Sequence, residues 1–259
     1  MIQNLKGVSE TLLIPLWARA VETKRPHPII KDEKALEMMN RIEYDFSQFE
    51  GRRMPQVSIA IRTELLDKAT QDFMERNRDG IVINVGCGLD TRFSRLDNGN
   101  IHWYDLDLPE PIRIRKQFFK ETDRYKMIAR SVFDYGWIKE IKADNPVLII
   151  VEGLLMYFKE KEVKNILNKL ADSFHGAEML LEVTTPTVVE RNKQHDTKFQ
   201  KYAPFQWGIE KGNEIEELDS RIKFVTEWNY FDYHQDRRKE AKITLKRKYS
   251  SRIVYLKVV

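Results

Sequence analysis

Two hydrophobic rhythms divide the chain. Through the first eighty positions apolar residues recur every three or four places, as in "KALEMMNRI" and in "VSIAIRTELLDKATQDFMERN". In the second of these, Ile59, Ile61, Leu65, Leu66, Ala69 and Phe73 share one broad helical face. Pro26, Pro28 and Pro55 read as the breaks between these helices. At residue 81 the period changes: "IVINV" is short, β-branched and almost wholly apolar, the pattern of a strand buried on both faces of a parallel sheet. Runs of the same kind return at "IHWYDLD", "YKMIA", "PVLIIVEG" and "AEMLLEVT", with helical segments such as "PEPIRIRKQFFKET" and "KEKEVKNILNKLADSF" between them. Strand alternating with helix predicts βαβ units, right-handed crossovers and a mostly parallel sheet.

After Thr185 this rhythm lapses. Residues 186–220 are polar, aromatic and irregularly spaced, and are expected to form an insertion that covers a substrate, with a small aromatic satellite core as the alternative. "IKFVTEWNYF" and "SSRIVYLKVV" follow without a convincing crossover helix, which predicts an antiparallel hairpin at the sheet's edge. A chain of 259 residues suits one α/β domain. Its expected parts are a helical cover over 1–79, a βαβ core over 80–185, the insertion over 186–220 and terminal strands over 221–259.

Composition removes several alternatives. Lys and Arg number 44 against 40 Asp and Glu, so the net charge of +4 is a small remainder and calls for no nucleic acid. The basic stretch "DRRKEAKITLKRKYSSR" has interspersed acids and reads as a solvated surface. Cys87 is the only cysteine, which excludes an intramolecular disulfide and fits a reducing compartment, the cytoplasm. No apolar run reaches the ~20 residues of a membrane helix, and the N-terminus lacks the pattern of a signal peptide, so no membrane association is expected. The five histidines show no metal-ligand spacing, and no metal is expected.

The candidate chemistry begins in "INVGCGLDTRFSRL", just after the first strand. Gly86 and Gly88 there would let the backbone approach a ligand or take positive φ. A dinucleotide turn would carry a third glycine, but Asp90 and Thr91 occupy this stretch, which argues against pyrophosphate. Asp107 ends the second strand about twenty residues on, where a carboxylate can accept from both hydroxyls of a ribose. Its structural alternative is to cap the helix beginning at Pro109. Asp105, two residues earlier, should lie deeper. A ligand with ribose but no pyrophosphate points to S-adenosylmethionine, with S-adenosylhomocysteine as the product.

"NVGCGLDTRF", "YDLDLP" and "VEGLLMYF" resemble the three signature blocks of the leucine carboxyl methyltransferase family, in its bacterial branch of polyketide O-methyltransferases. "TLLIPLWARAVETKRPHPIIKDEKA", "IAIRTELLD" and "APFQWGIEKGNEIEEL" resemble that branch too, so the likeness runs nearly end to end. It implies an α/β, Rossmann-like class I methyltransferase fold with a seven-stranded, mostly parallel sheet whose last strand is antiparallel.

Carried over position by position, the resemblance implies that Gly86 lies against the methionine part of the cofactor and that Asp107 holds its ribose. Arg62 resembles the arginine that pairs with the cofactor carboxylate, a contact well suited to a guanidinium fork. Glu152, closing an apolar strand, resembles the family glutamate that contacts the cofactor. The distant relatives' Asp-Leu pair at the adenine falls here on Ser131 and Val132, a departure that weakens the match, and Asp134 can instead cap the following short helix. Arg19 is a further candidate for the cofactor carboxylate or a substrate acid, or else a surface ion pair. Tyr202 and Trp207 are the aromatic candidates for substrate contact.

Cys87 reads as a small neighbour of the cofactor, because a catalytic cysteine needs a lowered pKa and a partner histidine that no motif supplies. No catalytic residue is assigned. The expected reaction is methyl transfer to a small organic acid or polyketide-like molecule, at its carboxylate. The alternatives are methylation of a protein C-terminal carboxyl or of RNA, and S-adenosylmethionine binding without turnover.

Overall fold

A computed structural model describes residues 11–194, 204–242 and 247–259. Its seven strands form one mostly parallel sheet. β1 (Ile81–Val85) lies between β2 (His102–Asp107) and β4 (Val147–Val151), parallel to both. β3 (Tyr125–Ala129) and β5 (Glu178–Val183) extend the parallel part on either side. The strand order reverses between β1 and β4, which opens a crevice beyond their carboxyl ends.

Alternate side chains of each strand enter two separate apolar layers. Val82, Trp103, Leu148 and Ile150 pack on one face against α1 (Leu13–Thr23) and α3 (Arg53–Arg76), through Leu16, Ala20, Leu65 and Phe73. Ile83, Val85, Ile149 and Val151 pack on the other against α6 (Glu160–Ser173). There Val163, Ile166, Leu167 and Leu170 supply an i, i+3, i+4, i+7 stripe. Each fully buried side chain of this kind contributes about 1.5–3 kcal/mol. These two layers explain why β1 and β4 contain almost no polar residue.

One expectation about punctuation needs correcting. Pro55 lies within the first turn of α3 and does not separate helices. The position tolerates it because first-turn amides have no intrahelical partner to lose. β6 (Ile222–Asn229) and β7 (Arg252–Val258) pair antiparallel at the sheet's edge, as expected. β7 inserts between β5 and β6, pairing antiparallel with each, so β6 runs parallel to the first five strands. β7 alone opposes the rest, and the chain between the pair holds the short helix α8 (Gln235–Glu240).

The insertion after β5 begins with α7 (Pro186–Gln194). Among the described residues no helix is long and apolar enough to cross a membrane.

Candidate functional site

The turn after β1 is shaped by its two glycines. Gly86 has φ +69° and Gly88 φ +48°, both in the left-handed region that a side chain disfavours. A Cβ on Gly86 would lie 2.9 Å from Leu154 Cδ2, so close packing as well as φ excludes a side chain. The turn is sewn to β2. Gly86 and Cys87 donate their amides to Leu106 O at 2.8 and 3.1 Å, and Gly88 donates to Asp107 Oδ2 at 2.7 Å. Leu108 N donates to the other carboxylate oxygen at 2.7 Å. α5 (Pro109–Arg115) receives no side-chain cap, so Asp107 fastens the turn and leaves the helix uncapped. Burial raises its carboxyl above the ordinary range, although both backbone donors pull it down.

Beyond these strand ends lies a cavity of about 570 Å³, within the usual range for a small-molecule site. Arg19, Arg62, Gly86, Asp107, Ser131, Val132 and Glu152 all line it. Residues scattered between positions 19 and 152 are thus brought to one concavity by α1, α3 and the ends of β1, β2, β3 and β4. Asp105 is deeper, at 1 % exposure, and holds Arg115, Asn84 and Trp103.

Alternating buried charges connect the walls. Arg62 Nη2 meets Glu152 Oε1 at 2.6 Å and its Nη1 meets Glu182 Oε2 at 2.9 Å. Glu152 Oε2 is taken by Arg92 Nη2 at 2.8 Å, and Arg92 continues to Asp90 at 2.6 Å and Asp67 at 2.7 Å. Arg95 joins Asp67 to Asp32, and Asp32 receives Arg19 Nε at 2.9 Å. Arg19 also donates to Leu89 O at 2.7 Å, so it is a buried tie between α1 and the glycine turn, not a surface ion pair. Burial opposes ionisation of Glu152 and Asp90. The guanidiniums of Arg62 and Arg92 for the first, and of Arg92 and Arg95 for the second, outweigh it and hold both carboxyls below their usual range.

Asp134 accepts from Gly136 N at 3.1 Å and caps the short helix after it, the structural option foreseen for it. Ser131 Oγ accepts from Phe133 N at 3.2 Å, while Val132 is buried with its carbonyl receiving Trp137 Nε1. Cys87 lines the cavity at 4 % exposure, and burial pushes its thiol well up, away from a nucleophile's thiolate. Among the described residues no histidine lines the cavity and no cluster of metal-ligating side chains occurs.

The two aromatic candidates fare differently. Tyr202 lies outside the described residues. Trp207 is 5 % exposed and belongs to the apolar layer shared with Val183 and Leu155, so it does not line the cavity. Along the segment that carries it, Trp207 and Ile209 turn to the core, while Pro204 and Gln206 face the cavity. Tyr157 and Phe158 also line it, and sequence reasoning assigned them no role. Their place five and six residues after Glu152, in "VEGLLMYF", was the available signal. Burial raises the Tyr157 phenol to about 12, so it remains a donor near neutral pH. Thr11, Leu12 and Pro15 complete the wall from α1 and the residues before it. No amphipathic period announces such a role.

A family model described as leucine carboxyl methyltransferase matches residues 13–171. The tetracenomycin polyketide synthesis O-methyltransferase TcmP of Streptomyces glaucescens is 30 % identical over 230 residues, covering 88 % of this chain and 85 % of that one. The S-adenosyl-L-methionine-dependent methyltransferase dpfgK of Gibberella zeae is 31 % identical over 191 residues, covering 67 % and 64 %. Among solved structures, a DUF574 family protein from Streptomyces avermitilis superposes with a TM-score of 0.62 at 11 % identity, over 93 % of this chain and 97 % of that one. Magnesium protoporphyrin IX methyltransferase from Synechocystis, solved with bound S-adenosylhomocysteine, superposes at 0.55 with 13 % identity, over 88 % and 94 %. At these identities the structural likeness speaks for the fold.

Proposed function

The chain belongs to the leucine carboxyl methyltransferase family, and from that premise we propose that it methylates the carboxylate of a small organic acid or polyketide-like molecule. It is an S-adenosylmethionine-dependent methyltransferase; the acceptor is our reading.

The residues present fit the cofactor. The positive-φ glycine at 86 leaves a cradle that a Cβ would fill, and Asp107 keeps lone pairs free after its two backbone contacts. In this reading Asp107 holds the ribose, Gly86 lies along the methionine part, Arg62 and Glu152 meet the amino-acid group, and Ser131 and Val132 flank the adenine. Arg19 contributes by fixing the turn through Leu89 O. When bound, the cofactor supplies an electrophilic methyl on a good leaving group. The protein's own contribution is orientation of the acceptor and exclusion of water. Leu154, Tyr157, Phe158 and Pro204 provide a largely apolar wall for this, and the Tyr157 hydroxyl can donate to an acceptor oxygen.

One observation carries the acceptor class. The acids beside the glycine turn that line the cavity are engaged: Glu152 by two arginines, Asp90 by Arg92 and Asn84, and Asp107 by two backbone amides and, in this reading, by the ribose. With no lining histidine among the described residues, the site suits an acceptor that needs no general base. A carboxylate is already anionic at neutral pH, whereas an alcohol or phenol would want one. The lone, unpaired Cys87 supports a cytoplasmic setting. The test is transfer of labelled methyl from S-adenosylmethionine to panels of carboxylic acids, phenols, peptides and RNA. Turnover on acids supports the reading, and turnover confined to RNA or phenols overturns it.

A further inference from the structure

We propose that Glu182 is a positioning residue, which holds the Arg62 guanidinium from behind the cavity wall so that it can receive the cofactor's carboxylate. The inference rests on the reading of Arg62 given above. Glu182 lies near the end of β5, is 4 % exposed, and does not itself line the cavity.

It bears on the site through Arg62 and through a backbone hydrogen bond from Gly153, which lines the cavity. Nη1 of Arg62 donates to Glu182 Oε2 at 2.9 Å while Nη2 meets Glu152 Oε1 at 2.6 Å. Acids from two neighbouring strands therefore grip the two ends of one planar fork. Glu152 is itself immobilised from the far side by Arg92. A guanidinium fixed at one nitrogen can still swing about that contact; fixed at both, its plane and its remaining N–H directions are set. Arg62 Nε is buried and has no hydrogen-bond partner among the described residues. Gly153, at φ +65°, passes beside the pair: a Cβ there would meet Arg62 Nη1 at 3.6 Å and Glu182 Oε2 at 3.7 Å. Those are ordinary contact distances, so it is the left-handed φ that calls for glycine there.

Length and acceptor character, more than charge, should then matter at position 182. Glu182→Gln keeps the reach and an oxygen to accept from Arg62, whereas Glu182→Asp keeps the charge but withdraws it by one methylene. The experiment measures dissociation constants by calorimetry for S-adenosylhomocysteine and for 5′-methylthioadenosine, which has the adenosine and sulfur but no amino-acid group. The wild-type protein should bind S-adenosylhomocysteine more tightly. In Glu182→Asp that preference should shrink roughly tenfold, the worth of one charge-assisted hydrogen bond. Affinity for 5′-methylthioadenosine should be unchanged, which also reports an intact fold, and Glu182→Gln should keep the preference.

Equal loss for both ligands in Glu182→Asp would make the role merely structural and overturn the proposal. An unchanged preference in Glu182→Asp, or a preference lost in Glu182→Gln and kept in Glu182→Asp, would overturn it too. If the wild-type protein showed no preference at all, the assignment of Arg62 would fail, and Glu182 with it.

Discussion

Gly88 donates its backbone amide to the Asp107 carboxylate at 2.7 Å, so the glycine turn after β1 and the end of β2 form one unit. A ligand that engages Asp107 is thereby placed against the turn. Asp107→Ala removes both the ribose acceptor and this tie. S-adenosylmethionine affinity should fall at least tenfold, about 1.5 kcal/mol or more, as read by calorimetric titration.

The same carboxylate gives a pH dependence. Because burial raises its pKa, Asp107 takes up its proton at a higher pH than an ordinary aspartate. The ionised form is the better acceptor, so cofactor affinity should weaken on acidification, beginning above the usual carboxylate range near pH ~4. A titration series in pH should show that loss in the wild type and its absence in Asp107→Asn, whose weaker binding should not vary over the same range.

Stability should respond to acid with a definite sign. Asp90, Glu152 and Asp32 are all held low: burial opposes their ionisation, and arginine partners overcome it. Their folded carboxyls titrate below those of the unfolded chain, so the stability they contribute is complete above the ordinary range and is lost as pH falls through it. Asp107 and Glu182, raised by burial, act in the opposite sense. Asp90→Asn should therefore melt lower than the wild type at about pH 7 yet lose less on acidification, because it has no carboxylate there to protonate. Thermal denaturation of both proteins from neutral to acid pH checks this.

Gly86→Ala tests the turn. A left-handed φ on a residue with a Cβ costs roughly 1–2 kcal/mol, and the new methyl meets Leu154. The melting temperature should fall by several degrees. Adding Leu154→Ala should recover the part due to the contact but not the part due to φ.

Cys87 should behave as an inert thiol. It is 4 % exposed and its pKa is pushed up by burial. Alkylation by iodoacetamide should be far slower in the native protein than in denaturant, and bound cofactor should slow it further.

The seven-stranded architecture was legible because β1 to β5 carry a buried-strand signature that helices interrupt. Position 55 was misread for a physical reason. A first-turn proline is indistinguishable from a helix break by composition; which of the last two strands lies beside β5 was not readable, because it depends on partners far away in sequence. Gly86, Asp107 and Glu152 were readable because each sits at a strand end with a residue type unlike its neighbours. Glu182 was not, since the acid in "MLLEVT" carries no mark of the arginine it meets 120 positions earlier. Trp207 was placed at the substrate from its residue type alone, but it enters the core while its neighbour Gln206 lines the cavity.

The central claim is methyl transfer to a carboxylate, and the chemical lability of the product tests it most directly. The protein would be incubated with methyl-labelled S-adenosylmethionine and an accepted organic acid, and the isolated product treated with mild alkali. Release of the label as volatile methanol is the predicted result, because a methyl ester hydrolyses under those conditions. Label that stays with the product, as in an aryl or alkyl ether or a methylated nucleobase, would contradict the account.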